Sequence, residues 1–318
     1  MEQTAARTPR LVEVLRARAR RALFGAPSPP APVDVSAGPP DAFEFVAPGH
    51  YYSALPSQAG VARRAPSLFG PPPRTLKGLD LREPQQLALL HALEPYYDSQ
   101  PFPATRTPPL RYWFDNPSYS WSDALFLHAM LRHLRPRSVV EIGSGYSSCV
   151  TLDTSELFLG GAVECTFVEP HPELLRSLLR PGDEGRVRLV AAEVQDAPMG
   201  VFEALGANDV LFIDSTHVSK VGSDVNHLVL EVLPRLAPGV HVHFHDVFHP
   251  FEYPEHWVRS GHAWNEAYLL RAFLTMNAAY EVVLFNTFLE HFHEDYFVRR
   301  MPLCLRNRGG SIWIRRRA

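Results

Sequence analysis

The stretch Ser138-Val139-Val140-Glu141-Ile142-Gly143-Ser144-Gly145-Tyr146-Ser147-Ser148 decides the fold. Val139, Val140 and Ile142 make a short apolar run of the kind a buried parallel strand carries. Gly143 and Gly145 break the run, and the next helix is expected to start near Ser147 or Ser148. Strand, glycine turn and helix N-terminus in that order let backbone N–H groups approach an anionic or polar ligand. A dinucleotide fingerprint needs a third glycine where Ser148 stands, which disfavours a nicotinamide site. Instead an acid, Glu141, precedes the first glycine by two residues. Taken alone, the stretch also fits an ordinary glycine-rich turn of some other α/β protein.

Downstream, strands and helices alternate, which predicts a mostly parallel sheet with helices on both faces. The expected strands after Val139–Ile142 are Cys165–Val168, Val187–Val190, Val210–Ile213 and Val240–Phe244, with Val282–Phe285 and Ser311–Ile314 as the last two. Helices are expected over Pro172–Leu179, Asp224–Leu236 and Trp264–Met276. Upstream, Ser122–Leu134 reads as a helix capped by Ser122 and stopped before Pro136, and Glu83–Tyr97 as another. Tyr112, Trp113, Phe114, Tyr119 and Trp121 form an aromatic cluster in the loop between them, suited equally to a flat acceptor and to plain packing.

Open parallel sheets bind ligands beyond the carboxyl ends of their strands, so the polar residues there carry the functional reading. Glu169 ends the second strand, where a carboxylate can accept hydrogen bonds from ribose hydroxyls. Phe-Ile-Asp-Ser-Thr-His places Asp214 at the end of the fourth strand and His217 three residues on. Phe-His-Asp places His245 and Asp246 at the end of the fifth. Neighbouring strands would bring the two acids to one point, where they repel unless a cation or proton relieves them. Mg²⁺ is the simplest such cation. His245 as a third ligand would shift preference to Mn²⁺, Fe²⁺ or Zn²⁺. The rival reading has the acids bind loop backbone or substrate without metal. His217 suits a general base, because its ordinary pKa lies near neutrality. His241 and His243 share the face of His245 deeper in the strand and read as core histidines. Ser219, Lys220 and Asp224 read by default as a solvated loop, while His262, Trp264, Asn265 and Glu266 open a helix close enough to line a substrate pocket. The run His291, His293, Glu294, Asp295 reads as polar surface.

The chain has 318 residues and a formal net charge of −3, so nothing global points to nucleic acid. Cys149, Cys165 and Cys304 are odd in number and lack metal-type spacing, the usage of reduced thiols. No apolar run approaches a membrane span, and arginines interrupt the first residues where a signal peptide would be apolar. A cytoplasmic protein without membrane insertion is expected. Pro9–Phe24 reads as a basic amphipathic helix that docks on its own domain or on a second subunit, so a homo-oligomer stays open. Ala26–Pro40 reads as a proline-rich linker. The expected division is residues 1–40 (helix and linker), 41–111 (a loop-rich region packing on the core) and 112–318 (the α/β domain). Phe43, Phe45, Tyr51 and Tyr52 are too apolar for a disordered tail.

From about Tyr112 to Ile314 the chain resembles the class I S-adenosylmethionine (SAM) methyltransferases of the bacterial methyltransferase-24 group. Four blocks carry the resemblance: Val140–Ser148, Phe212–Lys220, His243–Pro254 and Trp264–Leu270. It implies a Rossmann-like, seven-stranded, mostly parallel sheet and a helical and irregular N-terminal extension. It implies SAM as cofactor, held by Glu141, Gly143, Ser144, Gly145, Ser147, Glu169, Gln195 and Asp214. The acid and the glycine loop would take the methionine end, and the segment around Gln195 the adenine. The strand-end pattern is also similar to the metal-dependent catechol and macrolide-sugar O-methyltransferases. That likeness implies a divalent metal on Asp214, His245 and Asp246, with His217 taking the proton. His245 is a departure, since the relatives mostly supply an oxygen ligand there. The implied activity is O-methylation of a small metabolite or sugar hydroxyl. A metal-free N-methyltransferase and a non-catalytic SAM-binding partner are the alternatives.

Overall fold

Apolar strand runs flanked by helix-forming segments fold here into one twisted sheet. In the computed structural model, which describes residues 46–318, the strands are β1 (Ser138–Ile142), β2 (Glu164–Val168), β3 (Val187–Val190), β4 (Val210–Ile213), β5 (His241–His245), β6 (Tyr280–Phe285) and β7 (Ser311–Arg316). Their order across the sheet is β3-β2-β1-β4-β5-β7-β6. β3 to β5 pair in parallel, and β7 runs antiparallel between β5 and β6. Every residue of β4 and β5 is buried, as strands covered on both faces must be. The strand order reverses between β1 and β4, which opens a crevice beyond their carboxyl ends.

The helices before the sheet are α1 (Gln58–Leu68), α2 (Glu83–Asp98) and α3 (Trp121–Leu134). Within and after it lie α4 (Tyr146–Phe158), α5 (Glu173–Leu178), α6 (Gly200–Glu203), α7 (Asp224–His227), α8 (Glu255–Arg259), α9 (Glu266–Leu274), α10 (Asn286–Phe292) and α11 (Glu294–Arg300). One group packs around α3, with α2, α4 and α10 against it; another joins α9 to the helical segment following α7. Among the described residues, no helix is long and apolar enough to cross a membrane.

Several expected boundaries move for identifiable reasons. Ser122 does not cap α3: the helix begins at Trp121, and the buried Ser122 hydroxyl donates to Glu290 instead. The single helix expected over Asp224–Leu236 is α7, a π turn at Leu228–Val232 and a 3₁₀ turn at Leu233–Arg235. Pro234 has no N–H to continue an α ladder there. β5 ends at His245 rather than Phe244, so His245 keeps strand geometry and Asp246 is the first residue outside it. Tyr112, Phe114 and Tyr119 are core residues, and Phe114 stacks on Trp121 at 4.4 Å.

Tyr51 and Tyr52 are exposed, their rings tilted against each other and against His50. The basic helix, the linker, Phe43 and Phe45 lie outside the described residues. Cys149, Cys165 and Cys304 are free and buried.

The loop leading into α3 is anchored by one buried cation. The Arg111 guanidinium donates to Asp153 at 2.6 Å, to Asp183 at 2.7 and 2.8 Å and to Glu156 at 3.0 Å. Asp153 also accepts the backbone N–H of Arg111 and Tyr112. These bonds tie the loop to α4 and to the turn before β3, and so place Tyr119 against the site.

Candidate active site at the strand ends

The glycine loop passes so close to the end of β4 that a side chain has no room. Gly143 has φ +75°, and a Cβ there would stand 2.1 Å from the Asp214 carbonyl oxygen. Its N–H donates to Val168 O at 3.1 Å, and the Asp214 N–H donates to Ile142 O at 2.9 Å. The loop is therefore stitched to β2 on one side and β4 on the other. Glu169 receives the Ser144 N–H at 3.1 Å and the His171 N–H at 2.8 Å, holding the loop from its far side.

Glu141 is fully buried under this loop. One carboxyl oxygen accepts the hydroxyls of Ser147 at 2.5 Å and Ser148 at 3.0 Å. Burial, only partly offset by those hydroxyls, lifts the Glu141 carboxyl to about 8. Its second oxygen and the Ser144 hydroxyl are buried without a partner among the described residues. Gln195 donates to Gly222 O at 2.8 Å while its buried carbonyl oxygen is also unpartnered. Gln195 lines a cleft of about 480 Å³ together with Gly143, Glu169 and Asp214. A smaller space of about 250 Å³ adjoins it, bounded by Tyr119, Ser144, Gly145 and Ser147 and again by Gly143, Glu169 and Asp214.

At the edge of this cleft the strand-end acids converge. His217 Nε2 lies 3.4 Å from Asp214 Oδ1 and 3.6 Å from Asp246 Oδ2. His245 Nδ1 lies 3.3 Å from the same Asp214 oxygen, and its Nε2 lies 3.7 Å from Asp246 Oδ1 and 3.6 Å from Asp123 Oδ2. Ligand atoms of Asp214, His217 and Asp246 all fall within 4.8 Å of one another, a group able to hold a metal ion. His245 is not in that group; its ring is turned between acids, with buried Asp123 behind it. Burial opposes charge on both rings, yet the surrounding carboxylates hold His245 protonated and raise His217 to about 10. Burial works against ionised Asp214 too, but the two histidines keep it below the usual carboxylate range. Burial lifts the Asp246 carboxyl.

His217 is framed from a second side. Its Nδ1 lies 2.9 Å from Glu266 Oε2, and Trp264 covers the ring at a centroid distance of 4.4 Å. Trp257, His262 and Tyr253 continue this aromatic wall around Trp264.

Other histidines stay outside. His243 is stacked on Phe212 at 4.4 Å, and burial followed by the His245 charge lowers it to about 3. Burial lowers His241 to about 4. Asp224 serves its own loop, accepting the Thr216 N–H and hydroxyl. His293 pairs with Glu83 away from the cleft. Asp123, which also reaches a histidine, carries no strand-end signature: it comes from α3, and only folding brings it beneath β5.

Residues 140–247 match the family model of a methyltransferase domain, that of the methyltransferase-24 family. A protein of Archaeoglobus fulgidus described as uncharacterised is 34% identical over 168 residues, 51% of this chain and 74% of that protein. The chain belongs to the methyltransferase-24 family of class I SAM-dependent methyltransferases. Similar solved structures include a methyltransferase of Podospora anserina with S-adenosylhomocysteine bound (16% identity, 84% of this chain and 99% of that one, TM-score 0.41). A putative O-methyltransferase of Klebsiella pneumoniae is another (18% identity, 72% and 90%, TM-score 0.38).

One consequence of this methyltransferase's electrostatics is a pH dependence. His217 gains protonation strength on folding, so the metal-free protein has that stabilisation in full below 6.5 and loses it as pH rises towards about 10. Thermal unfolding should show the difference between wild type and His217→Gln shrinking across this window. A difference that grows with pH would contradict it.

Proposed function

We propose that this methyltransferase moves the methyl group of SAM to a hydroxyl of a small metabolite or sugar, with a divalent cation at Asp214 and Asp246 and His217 as the proton acceptor. The observation that carries the reading is the convergence of both acids on His217 Nε2 at the rim of the glycine-loop cleft. The cleft suits SAM. Gly143 and Gly145 leave room for close backbone approach, and Ser144, Gln195 and Glu141 offer buried polar atoms still without partners. Gly143, Ser144, Gly145, Ser147 and Glu141 would take the methionine end, Glu169 the ribose, and Gln195 the adenine side, with Asp214 between cofactor and acceptor.

The step forms an O–CH₃ bond and breaks the S–CH₃ bond, leaving neutral S-adenosylhomocysteine. The sulfonium of SAM already activates the methyl group, so the protein mainly orients and deprotonates. A divalent cation, Mg²⁺ or its rivals Mn²⁺ and Fe²⁺, would lower the pKa of the acceptor hydroxyl and orient its oxygen. The acceptor's proton goes to His217 Nε2. Asp214 and Glu266 are the acids that hold a proton on the ring, so a cation taking up the charge of Asp214 would loosen that hold at Nε2. Glu266, bonded to Nδ1, supports the imidazolium that results.

One observation favours a second reading: His217, not His245, stands in the group that can hold a metal. There His217 Nε2 would be the third ligand, which favours Mn²⁺ or Fe²⁺ over Mg²⁺. Calorimetric titration of metal-stripped protein with Mg²⁺ and Mn²⁺, with and without S-adenosylhomocysteine, separates the readings. His217→Ala should leave metal affinity within about threefold if the ring is a base. It should weaken it by about 10–100-fold if the ring is a ligand. Wild type that binds no divalent ion, or binds it equally well as Asp246→Asn, sinks the metal proposal. No binding of S-adenosylhomocysteine sinks the cofactor site.

A further inference from the structure

His217 owes its pose to a clamp built by the start of α9. The residue sits at φ +60°, a conformation that side chains rarely adopt. Its carbonyl accepts two N–H groups, from Asn265 at 3.0 Å and Glu266 at 3.1 Å. Its own N–H donates to Ser215 Oγ at 2.9 Å, and that hydroxyl donates onward to Glu266 Oε1 at 2.8 Å. Glu266 Oε2 lies 2.9 Å from His217 Nδ1, closing a ring of three side chains, while Trp264 covers one face of the imidazole. Glu266 is 1% exposed, and its carboxylate lies in the first turn of α9, where the helix dipole favours an anion.

We propose that Glu266 is a positioning residue that keeps a proton on His217 Nδ1 and aims Nε2 at the point between Asp214 and Asp246. An ionised carboxylate only accepts, so the nitrogen facing it must carry hydrogen, and the opposite nitrogen is left to meet a proton or a cation. A histidine donating one nitrogen to a carboxylate while presenting the other to a metal is a common support for metal sites. The inference rests on the reading that His217 Nε2 is the working nitrogen. The orientation of the ring itself is independent of that reading.

The full-length protein tests it in two ways. First, Mn²⁺ affinity is measured for wild type, Glu266→Leu and Glu266→Gln, alongside metal-free binding of S-adenosylhomocysteine. Glu266→Leu, which removes both acceptor oxygens, should weaken Mn²⁺ binding about 10–100-fold, and Glu266→Gln less. S-adenosylhomocysteine affinity should stay within about threefold in both. Unchanged Mn²⁺ affinity in both variants, or equal losses for Mn²⁺ and S-adenosylhomocysteine, overturns the positioning role. Second, ¹⁵N-histidine spectra of wild type with Mg²⁺ should show His217 Nδ1 bearing hydrogen. An unprotonated Nδ1 overturns the proposal whether or not the variants fold. Wild type that binds no Mn²⁺ at all would count against the metal reading, while the Nδ1 spectrum would still decide the role of Glu266.

Discussion

Gly143→Ala should cost this methyltransferase both stability and its cofactor. The new methyl would stand 2.1 Å from the Asp214 carbonyl oxygen, a backbone atom that cannot swing away. Two independent penalties apply. A side chain at φ +75° costs about 1–2 kcal/mol. Forcing atoms into a packed site costs about 1–3 kcal/mol more. Relief requires the loop to lift off β4, which breaks the Asp214 N–H to Ile142 O bond and displaces Ser144 and Gly145 from the cleft. The expected result is a midpoint shift in urea equivalent to about 2–5 kcal/mol, and about hundredfold weaker binding of S-adenosylhomocysteine, or roughly 2.7 kcal/mol. Binding within threefold of wild type would show that the loop does not contact the cofactor.

Arg111→Met should be the most destabilising single change outside the cleft. The guanidinium and its partners Asp153 and Asp183 are almost wholly shielded from water. Burial alone disfavours the charge on Arg111, but the carboxylates around it more than compensate and raise its pKa. Methionine fills similar space, strands buried Asp153 without a cation and leaves Asp183 only the more distant Arg180, at 3.9 Å. Breaking a buried pair from one side costs about 3–5 kcal/mol, far above what the exposed Arg259–Glu255 pair is worth, about 0–1 kcal/mol. The deficit should narrow as pH falls, because the stranded carboxyl then takes a proton and loses its buried charge. Chemical unfolding at pH 7 and pH 5 checks both statements. A loss under about 1 kcal/mol at pH 7 would mean water reaches the network. A deficit that widens in acid would mean the stranded carboxyl is not its cause.

Much of the site was legible because its residues stand at strand ends. Val139 to Gly145 could be read as strand and turn from hydrophobic pattern and glycine alone, and Asp214, His217, His245 and Asp246 from their place directly after apolar runs. Two short-range features resisted. The helix after α7 changes type at Leu228 because of a proline six residues later, a conflict that periodicity does not register. The end of β5 moved by one residue, which carried His245 from the loop into the buried strand.

The sequence by itself determined the order of strands and helices, the place of the glycine loop and which polar residues stand at the carboxyl end of the sheet. All three are set by local pattern, because a parallel strand must be apolar and the chain must turn once it leaves the sheet. Only the tertiary structure decided how the polar groups divide. Asp123 arrives beneath His245 from a helix preceding the sheet, and Glu266 arrives beside His217 from α9. Each meets its histidine across a separation that no spacing rule spans. Charge in a buried site is settled by every group packed around it, and packing joins residues according to the fold rather than their distance along the chain.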